Sequence, residues 1–211
     1  MRKYLTEFVG TLFFVMTIGL VVTPGHPMAP LVIGTALMVV VYMGGHVSGG
    51  HYNPAVSVAV YLRGKLPASD LIPYIMAQLL GAVVGAYLCY MLLDHTFAPA
   101  PAATATTMTA LLVEVFYTFL LALVVLNVAT SPATEGNSFY GFAIGATIVI
   151  AAFAGGPISG GAFNPAVATG SIVVNAAAGG GSLGHLWLYW VGPVAGGALA
   201  AAVYRIQHGM A

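Results

Sequence analysis

A nine-residue segment occurs twice in this chain. Ser48–Val56 reads SGGHYNPAV and recurs as Ser159–Val167, SGGAFNPAV, at an offset of 111 residues (164 minus 53). Upstream, the apolar run that contains Glu7 has a counterpart in the run that contains Glu114. A repeat that covers half of a chain indicates two structurally equivalent units, and this constrains the fold more than any other feature.

The composition places both halves in a membrane. Of the 211 residues, 60% are hydrophobic and 5% are charged, compared with about 25% charged in a soluble domain. The net charge is zero and no basic or acidic block occurs, so nothing indicates a nucleic-acid partner. Cys89 is the only cysteine, which excludes an intrachain disulfide. We expect one channel domain, 1–211, with repeat halves at about 1–98 and 107–211.

Six apolar runs approach the length of about 20 residues that crosses a hydrocarbon core of about 30 Å. They lie near 4–22, 30–47, 70–93, 108–129, 139–156 and 185–206. Two further apolar stretches, Asn53 to Leu62 and Asn164 to Val174, have about half that length. The predicted fold is an all-α membrane protein with six transmembrane helices, two re-entrant half-helices and an inverted internal repeat.

The halves have opposite orientations because each contains an odd number of spans. If the N-terminus is inside, every Lys and Arg lies on the cytoplasmic side, as the positive-inside rule favours. These residues are Arg2, Lys3, Arg63, Lys65 and Arg205. Both termini are then cytoplasmic, and Phe97 to Thr107 and Ala176 to Gly184 are expected to be external linkers without identifiable chemistry.

Glycine pairs spaced four residues apart recur in the predicted spans. Small residues at this spacing let membrane helices approach closely, and we interpret them as packing faces. The pairs are Gly81 and Gly85, Gly141 and Gly145, and Gly192 and Gly196.

Each repeated motif predicts the start of a short helix, because Asn is a good N-cap and Pro suits the first helical turn. Two such N-termini that meet at mid-membrane focus positive potential there and offer Asn amide donors to a pore. A single motif of this kind is typical of any capped helix, whereas an inverted pair indicates a pore. The motif residues are Asn53, Pro54, Ala55, Asn164, Pro165 and Ala166.

With both motifs and the full-length repeat, the chain resembles the aquaporin and aquaglyceroporin (major intrinsic protein) family. The resemblance implies a passive channel for small uncharged solutes that is embedded in a lipid bilayer and assembles as a homotetramer. It implies no catalytic residue, no metal and no cofactor. Short termini and minimal loops suggest a bacterial inner membrane.

Two carboxylates lie within predicted spans, where an ionisable residue is by default a candidate for a functional site such as a proton relay. The resemblance implies instead that Glu7 and Glu114 brace the re-entrant loops, whose backbone N–H groups need internal acceptors. Gln78 is expected to have a similar supporting role. His51 is expected to be a hydrogen-bonded buried histidine and not a metal ligand.

The family pattern also assigns four positions to an external constriction. The Arg that usually follows the second motif is replaced by Val167, and the other positions become Ile33, Ala152 and Gly161. These residues supply neither charge nor a side-chain donor, so the filter is expected to be wide and apolar. Ala168 stands where glycerol facilitators have Asp. The pattern favours polyols, neutral metalloid acids or methylated arsenicals as solutes in addition to water.

Other readings stay open on sequence grounds. The channel could be strictly water-selective. A secondary transporter also uses inverted repeats and broken helices, and its coupling groups would have to be Glu7 and Glu114. In a closed structural membrane protein, the apolar constriction would be dewetted. An enzyme is disfavoured, since no nucleophile, base or carboxylate pair occurs at catalytic spacing.

Overall fold

The computed structural model describes residues 1–209, so the last two residues of the predicted domain 1–211 and of the predicted half 107–211 lie outside the described residues. Within 1–209 there are eight α-helices and one 3₁₀ turn, Pro132–Thr134. The helices are α1 Arg2–Val22, α2 Ala29–Ser48, α3 Pro54–Leu62, α4 Ala68–Leu93, α5 Thr107–Ala129, α6 Tyr140–Ser159, α7 Pro165–Ala177 and α8 Leu188–Gln207.

Six of these helices correspond to the six predicted spans. In the described part of the chain, α1, α2, α4, α5 and α6 are long and apolar enough to cross a membrane. Helix α8 has 20 residues but is less apolar than those five. Helices α3 and α7, with 9 and 13 residues, are the two half-helices. The predicted fold class is therefore confirmed.

The helix contacts follow the internal repeat. Helix α1 packs against α4, α5 packs against α8 in the same way, and α2 meets α6 between the two halves. Each half-helix lies against the last helix of the other half, α3 against α8 and α7 against α4. This exchange joins the halves, so neither re-entrant segment is enclosed by its own repeat alone.

The predicted glycine packing faces are confirmed. A methyl group built on Gly81 would lie 2.3 Å from the carbonyl oxygen of Phe8 in α1. In the second half, a methyl on Gly196 would lie 2.4 Å from the carbonyl oxygen of Val115 in α5. Because these neighbours are backbone atoms, no side-chain rotation can make room, and the close approach requires glycine.

We predict that Gly81→Ala lowers the thermal unfolding midpoint of the detergent-solubilised protein by several degrees. Overpacking costs about 1–3 kcal/mol, and here the added methyl must separate α1 from α4. The matched control is Gly156→Ala, because a methyl group at that helical position meets no atom within 4 Å. Equal midpoints for the two variants would contradict close backbone packing at Gly81.

Candidate functional site

The two re-entrant loops share one backbone conformation. Gly49 and Gly160 directly follow α2 and α6, and their φ angles are 90° and 88°. Tyr52 and Phe163 then have φ angles of 47° and 48°, in the left-handed region that non-glycine residues seldom occupy. The chain reverses at these positions and enters α3 and α7, so the sequence repeat is also a repeat of an unusual backbone path.

The two asparagines cap the half-helices and connect them. The side-chain oxygens of Asn53 and Asn164 accept hydrogen bonds of 2.9 Å from the backbone N–H groups of Ala55 and Ala166. Pro54 and Pro165 occupy the first helical positions, where a missing N–H has no cost.

Each asparagine also reaches the opposite loop. Asn53 Nδ2 donates to the carbonyl of Phe163 at 2.9 Å, and Asn164 Nδ2 donates to the carbonyl of Tyr52 at 2.8 Å. An amide nitrogen carries two hydrogens, and this bond uses one of them. Both asparagines line a cavity, so each has a second N–H for a molecule inside it.

A fully buried glutamate holds each loop. Glu114 accepts from the N–H groups of Ala162 at 3.1 Å and Phe163 at 2.6 Å, and from the hydroxyl of Ser159 at 2.8 Å. Backbone at this depth needs such acceptors, because lipid supplies none.

Glu7 has the equivalent position in the first half. It accepts from the N–H groups of His51 at 3.0 Å and Tyr52 at 2.7 Å, and from the hydroxyl of Ser48 at 2.7 Å. Unlike Glu114, it has a further donor, Gln78 Nε2, at 2.8 Å. The side chain of Gln78 donates to Glu7 and Ser57, so its contact with the loop is indirect.

Two tyrosines, which the sequence analysis did not identify, complete the support of the loops. Tyr74 in α4 donates to the carbonyl of Ser48 at 2.7 Å, and Tyr189 in α8 donates to that of Ser159 at 2.5 Å. The acceptors are backbone carbonyls, which every residue has, so the repeated serines carried no signal for these contacts. The two tyrosines also stand at different distances from the two motifs, so the repeat does not pair them.

A cavity of about 330 Å³ includes both asparagines in its lining, and we name it the outer cavity after the expected external constriction. Its lining includes the four predicted filter residues Ile33, Ala152, Gly161 and Val167. Most other lining side chains are aliphatic or aromatic, among them Phe14, Ile18, Leu37, Ile144 and Ile148. Among the lining residues, the polar side chains are His51, Asn53 and Asn164.

The segment after α4 contributes to the same cavity. The linker Phe97 to Thr107 was expected to carry no identifiable chemistry, and the structure adds that its residues 97–100 line the outer cavity. The segment folds back because the N–H of Ala102 donates to the carbonyl of Ile158 at 3.0 Å. Thr96 Oγ1 also donates to Asn175 at 2.6 Å. The sequence carried no signal for this, since the first of these anchors is a backbone contact.

An inner cavity of about 650 Å³ occupies the opposite end and differs in character. Charged side chains line it, namely Lys3, Lys65, Asp70 and Glu135, together with His46. Lys3 forms an ion pair with Asp70, which also accepts from Tyr4 at 2.8 Å. His51 lines both cavities, so the apolar outer space and the polar inner space approach each other at this residue.

Two half-helices whose N-termini meet between two cavities, inside a bundle of membrane helices, define a channel-forming membrane protein. The profile of the family described as "Major intrinsic protein" matches residues 1–204. The chain therefore belongs to the major intrinsic protein family, whose members are channels for small neutral solutes and not enzymes. It is accordingly an integral membrane protein.

Relatives extend over almost the whole chain. It is 37% identical over 222 residues to glycerol uptake facilitator protein-like 6 of Lactiplantibacillus plantarum, with 98% of each chain covered. It is 34% identical to aquaporin NIP1-1 of Zea mays, covering 97% of this chain and 74% of the relative. The crystal structure of the aquaglyceroporin from Plasmodium falciparum has the same fold, with a TM-score of 0.85 at 24% identity over 96% of this chain and 94% of that one.

We predict that Glu114→Ala prevents recovery of folded protein from membranes. The substitution leaves the buried N–H groups of Ala162 and Phe163 without an acceptor, at about 1–3 kcal/mol each, and leaves the hydroxyl of Ser159 only the carbonyl of Gly155 at 3.4 Å. Glu114→Gln keeps one acceptor oxygen and is expected to fold with a lower thermal midpoint. The control is Glu135→Ala, which removes an exposed carboxylate. Normal yield and a normal midpoint of Glu114→Ala in size-exclusion and thermal-shift measurements would show that the loop does not depend on this carboxylate.

Proposed function

We propose that this protein is a passive channel for small uncharged solutes larger than water as well as for water itself. The solute class comprises glycerol-like polyols, neutral metalloid acids and methylated arsenicals. The pore is lined by the two Asn-Pro-Ala loops. The observation that carries the proposal is the chemistry of the four filter positions, where Ile33, Ala152, Gly161 and Val167 present no charge and no side-chain donor to the outer cavity.

The apolar lining favours neutral solutes over ions. An ion that enters the outer cavity loses its hydration without gaining a charged partner, whereas a neutral molecule loses less. The N-termini of α3 and α7 add positive potential near the asparagines, which opposes cations. A polyol or oxyacid can instead accept hydrogen bonds from the second N–H of Asn53 and of Asn164, which the contacts between the loops leave unused.

The burial and the hydrogen bonds of Glu7 and Glu114 favour a channel over a coupled transporter. Both carboxylates are fully buried, and neither lines the outer or the inner cavity. Glu7 accepts four hydrogen bonds and Glu114 accepts three. A coupling carboxylate must exchange protons with the solute pathway, and these groups are committed to the loops.

The filter position after the second motif is the best place to test the proposal. Val167 is buried, lines the outer cavity and directly follows the second Asn-Pro-Ala motif. An Arg there would bring a cation and five N–H donors to the filter positions, whose side chains now supply neither. The name of the 37% identical relative, a glycerol uptake facilitator-like protein, supports passage of polyols.

We further propose a single domain over 1–211 that assembles as a homotetramer in a bacterial inner membrane, with both termini in the cytoplasm. The orientation is supported by the grouping of cationic side chains. Lys3 and Lys65 line the inner cavity, and Arg63 stacks on the ring of Tyr204 near the end of α8, 4.7 Å from its centroid. A grouping of this kind favours the cytoplasmic side.

We predict that liposomes containing the wild-type protein respond to osmotic jumps with fast water, glycerol and boric acid flux. Val167→Arg should reduce the glycerol and boric acid fluxes by roughly tenfold, because a narrowed, charged filter selects by size and hydrogen bonding. Water flux should persist. The matched control is Val167→Ile, which adds volume without charge. Stopped-flow light scattering gives all rates.

Three outcomes would contradict the proposal in different ways. Water flux alone in the wild type would make the channel water-selective. Flux of no solute would indicate a closed structural protein. Saturable uptake that depends on a proton gradient would indicate a transporter.

For orientation, we predict that a membrane-impermeant maleimide labels Asp94→Cys but not Lys65→Cys on intact cells. Both positions are exposed, and the single native cysteine, Cys89, is buried and is replaced by Ser in the test background. Permeabilised cells should label at both positions. The reverse pattern on intact cells would invert the proposed orientation.

A further inference from the structure

The guanidinium of Arg63 is held against an aromatic ring and has no carboxylate partner. Arg63 directly follows α3, and its guanidinium carbon lies 4.7 Å from the ring centroid of Tyr204 in α8. The ring of His208 stacks on the same tyrosine at 4.1 Å, and Tyr204 is fully buried. Within residues 1–209, no carboxylate oxygen lies within 4 Å of the Arg63 guanidinium. Its Nε is buried without a hydrogen-bond partner, whereas its terminal nitrogens are open to the surface. The cation is therefore fixed in position but not neutralised.

The surface around Arg63 faces away from the solute pathway. Arg63 and the two residues before it, Tyr61 and Leu62, line neither the outer nor the inner cavity. Tyr61 is 37% exposed and Leu62 is 42% exposed. Exposed apolar side chains on a bundle of membrane helices contact lipid, and tyrosine is enriched where the hydrocarbon core meets water. The end of α3 thus presents a cation beside apolar side chains, which matches the headgroup and the acyl chains of a lipid.

The second half-helix ends without this cation. The residue equivalent to Arg63, at the offset of 111 (174 minus 63), is Val174, and the residue that caps α7 is Ala178. A re-entrant helix of this fold therefore forms without a cation at its C-terminal end. Because the two halves are inverted, the two half-helices end at opposite leaflets. Anionic lipids are enriched in the cytoplasmic leaflet, where the proposed orientation places Arg63.

An arginine held in this way is suited to a phosphate group. Its planar guanidinium offers parallel N–H donors that match two phosphate oxygens, and it is more weakly hydrated than an ammonium group. Stacking on Tyr204 restricts the side chain before a ligand arrives, so less conformational entropy is lost on binding. No carboxylate of the described residues competes for the same donors.

We propose that Arg63, held by Tyr204, binds the phosphate group of an anionic phospholipid in the inner leaflet. Tyr61 and Leu62 contact the acyl chains of this lipid. A zwitterionic lipid carries the same phosphate, but its own ammonium group offsets the charge and weakens the attraction to Arg63. The site lies outside the solute pathway and is additional to the proposed channel function. It rests on the proposed orientation, because the reverse orientation places Arg63 at the outer leaflet.

A lipid bound at this site stabilises the inner end of the bundle. Helix α3 has nine residues, about 14 Å at 1.5 Å per residue, and joins Arg63 at one end to Asn53 at the other. It packs closely on α8, since a methyl group built on Gly197 would lie 2.5 Å from the carbonyl oxygen of Ala55. Tyr204 belongs to α8, so a headgroup on Arg63 holds the ends of both helices. A ligand that binds only the folded state raises the free energy of unfolding.

Lipid binding is tested by native mass spectrometry and thermal unfolding of the delipidated protein in detergent. The probes are phosphatidylglycerol, phosphatidylcholine with the same acyl chains, and inorganic phosphate. We expect phosphatidylglycerol to bind more tightly than phosphatidylcholine and to raise the unfolding midpoint by several degrees. Inorganic phosphate should give no comparable rise, because it has no acyl chains to contact Tyr61 and Leu62.

Substitutions at two neighbouring cations separate this site from general surface charge. Arg63→Gln should weaken phosphatidylglycerol binding roughly fivefold, the effect of one cation near the membrane surface. The fold should tolerate this change, since Val174 stands at the equivalent position. Arg63→Lys keeps the charge but loses the planar fork, so it should bind with intermediate affinity. Lys65→Gln removes an exposed cation that lines the inner cavity, and binding should stay within about twofold of wild type.

Each possible failure gives a different result. Equal binding of phosphatidylglycerol to Arg63→Gln and to the wild type shows that Arg63 is not the site. Equal weakening in Lys65→Gln assigns the effect to diffuse surface charge, and an equal response to inorganic phosphate assigns it to a free anion; either overturns the inference. A changed subunit number in Arg63→Gln makes this face a subunit contact and also overturns it, as does external labelling of Lys65→Cys. If liposomes conduct no solute while Arg63→Gln loses lipid binding, the proposed function fails and the lipid site stands.

Discussion

The carboxylates of Glu7 and Glu114 accept the backbone N–H groups of the re-entrant loops, and the pore geometry depends on these bonds. Each loop places residues in left-handed conformations at membrane depth, where unpaired N–H groups are costly. With the acceptors in place, α3 and α7 begin next to each other, and their capping asparagines reach the opposite loop. The cross-loop bonds in turn fix the distance between the halves. Removal of a glutamate therefore affects the pore and not only one helix.

On this scaffold, a few side chains that line the two cavities determine the chemistry of the pore. The outer cavity is almost entirely apolar, with Val167 where the family pattern has Arg, whereas the inner cavity carries Lys3, Lys65, Asp70 and Glu135. In the proposed channel, a neutral solute passes from an apolar space, across the asparagine amides, into a polar one. Fixed donors inside an apolar wall discriminate strongly, because a solute that cannot accept them leaves buried N–H groups unpaired.

Symmetry separates what the fold requires from what the pore requires. Ser48 and Ser159 occupy equivalent places and serve the same support of the loops. His51 and Gln78, by contrast, have Ala162 and Pro193 as counterparts, although both loops have one backbone path. The two copies of the repeat can therefore be compared position by position, and a polar residue that only one copy has is a candidate for function.

The sequence by itself determined the elements of the fold. The hydropathy runs, the 111-residue repeat and the Asn-Pro pairs predict six spans and two half-helices, because apolar length and helix capping are local properties. Tertiary structure alone decided which groups meet. The return of residues 97–100 to the outer cavity rests in part on a backbone hydrogen bond from Ala102 to Ile158, which the sequence does not specify. The contact of Gln78 with Ser57 and Glu7 joins three different helices. Such contacts depend on helix rotation and packing, which are properties of the assembled bundle and not of any one segment.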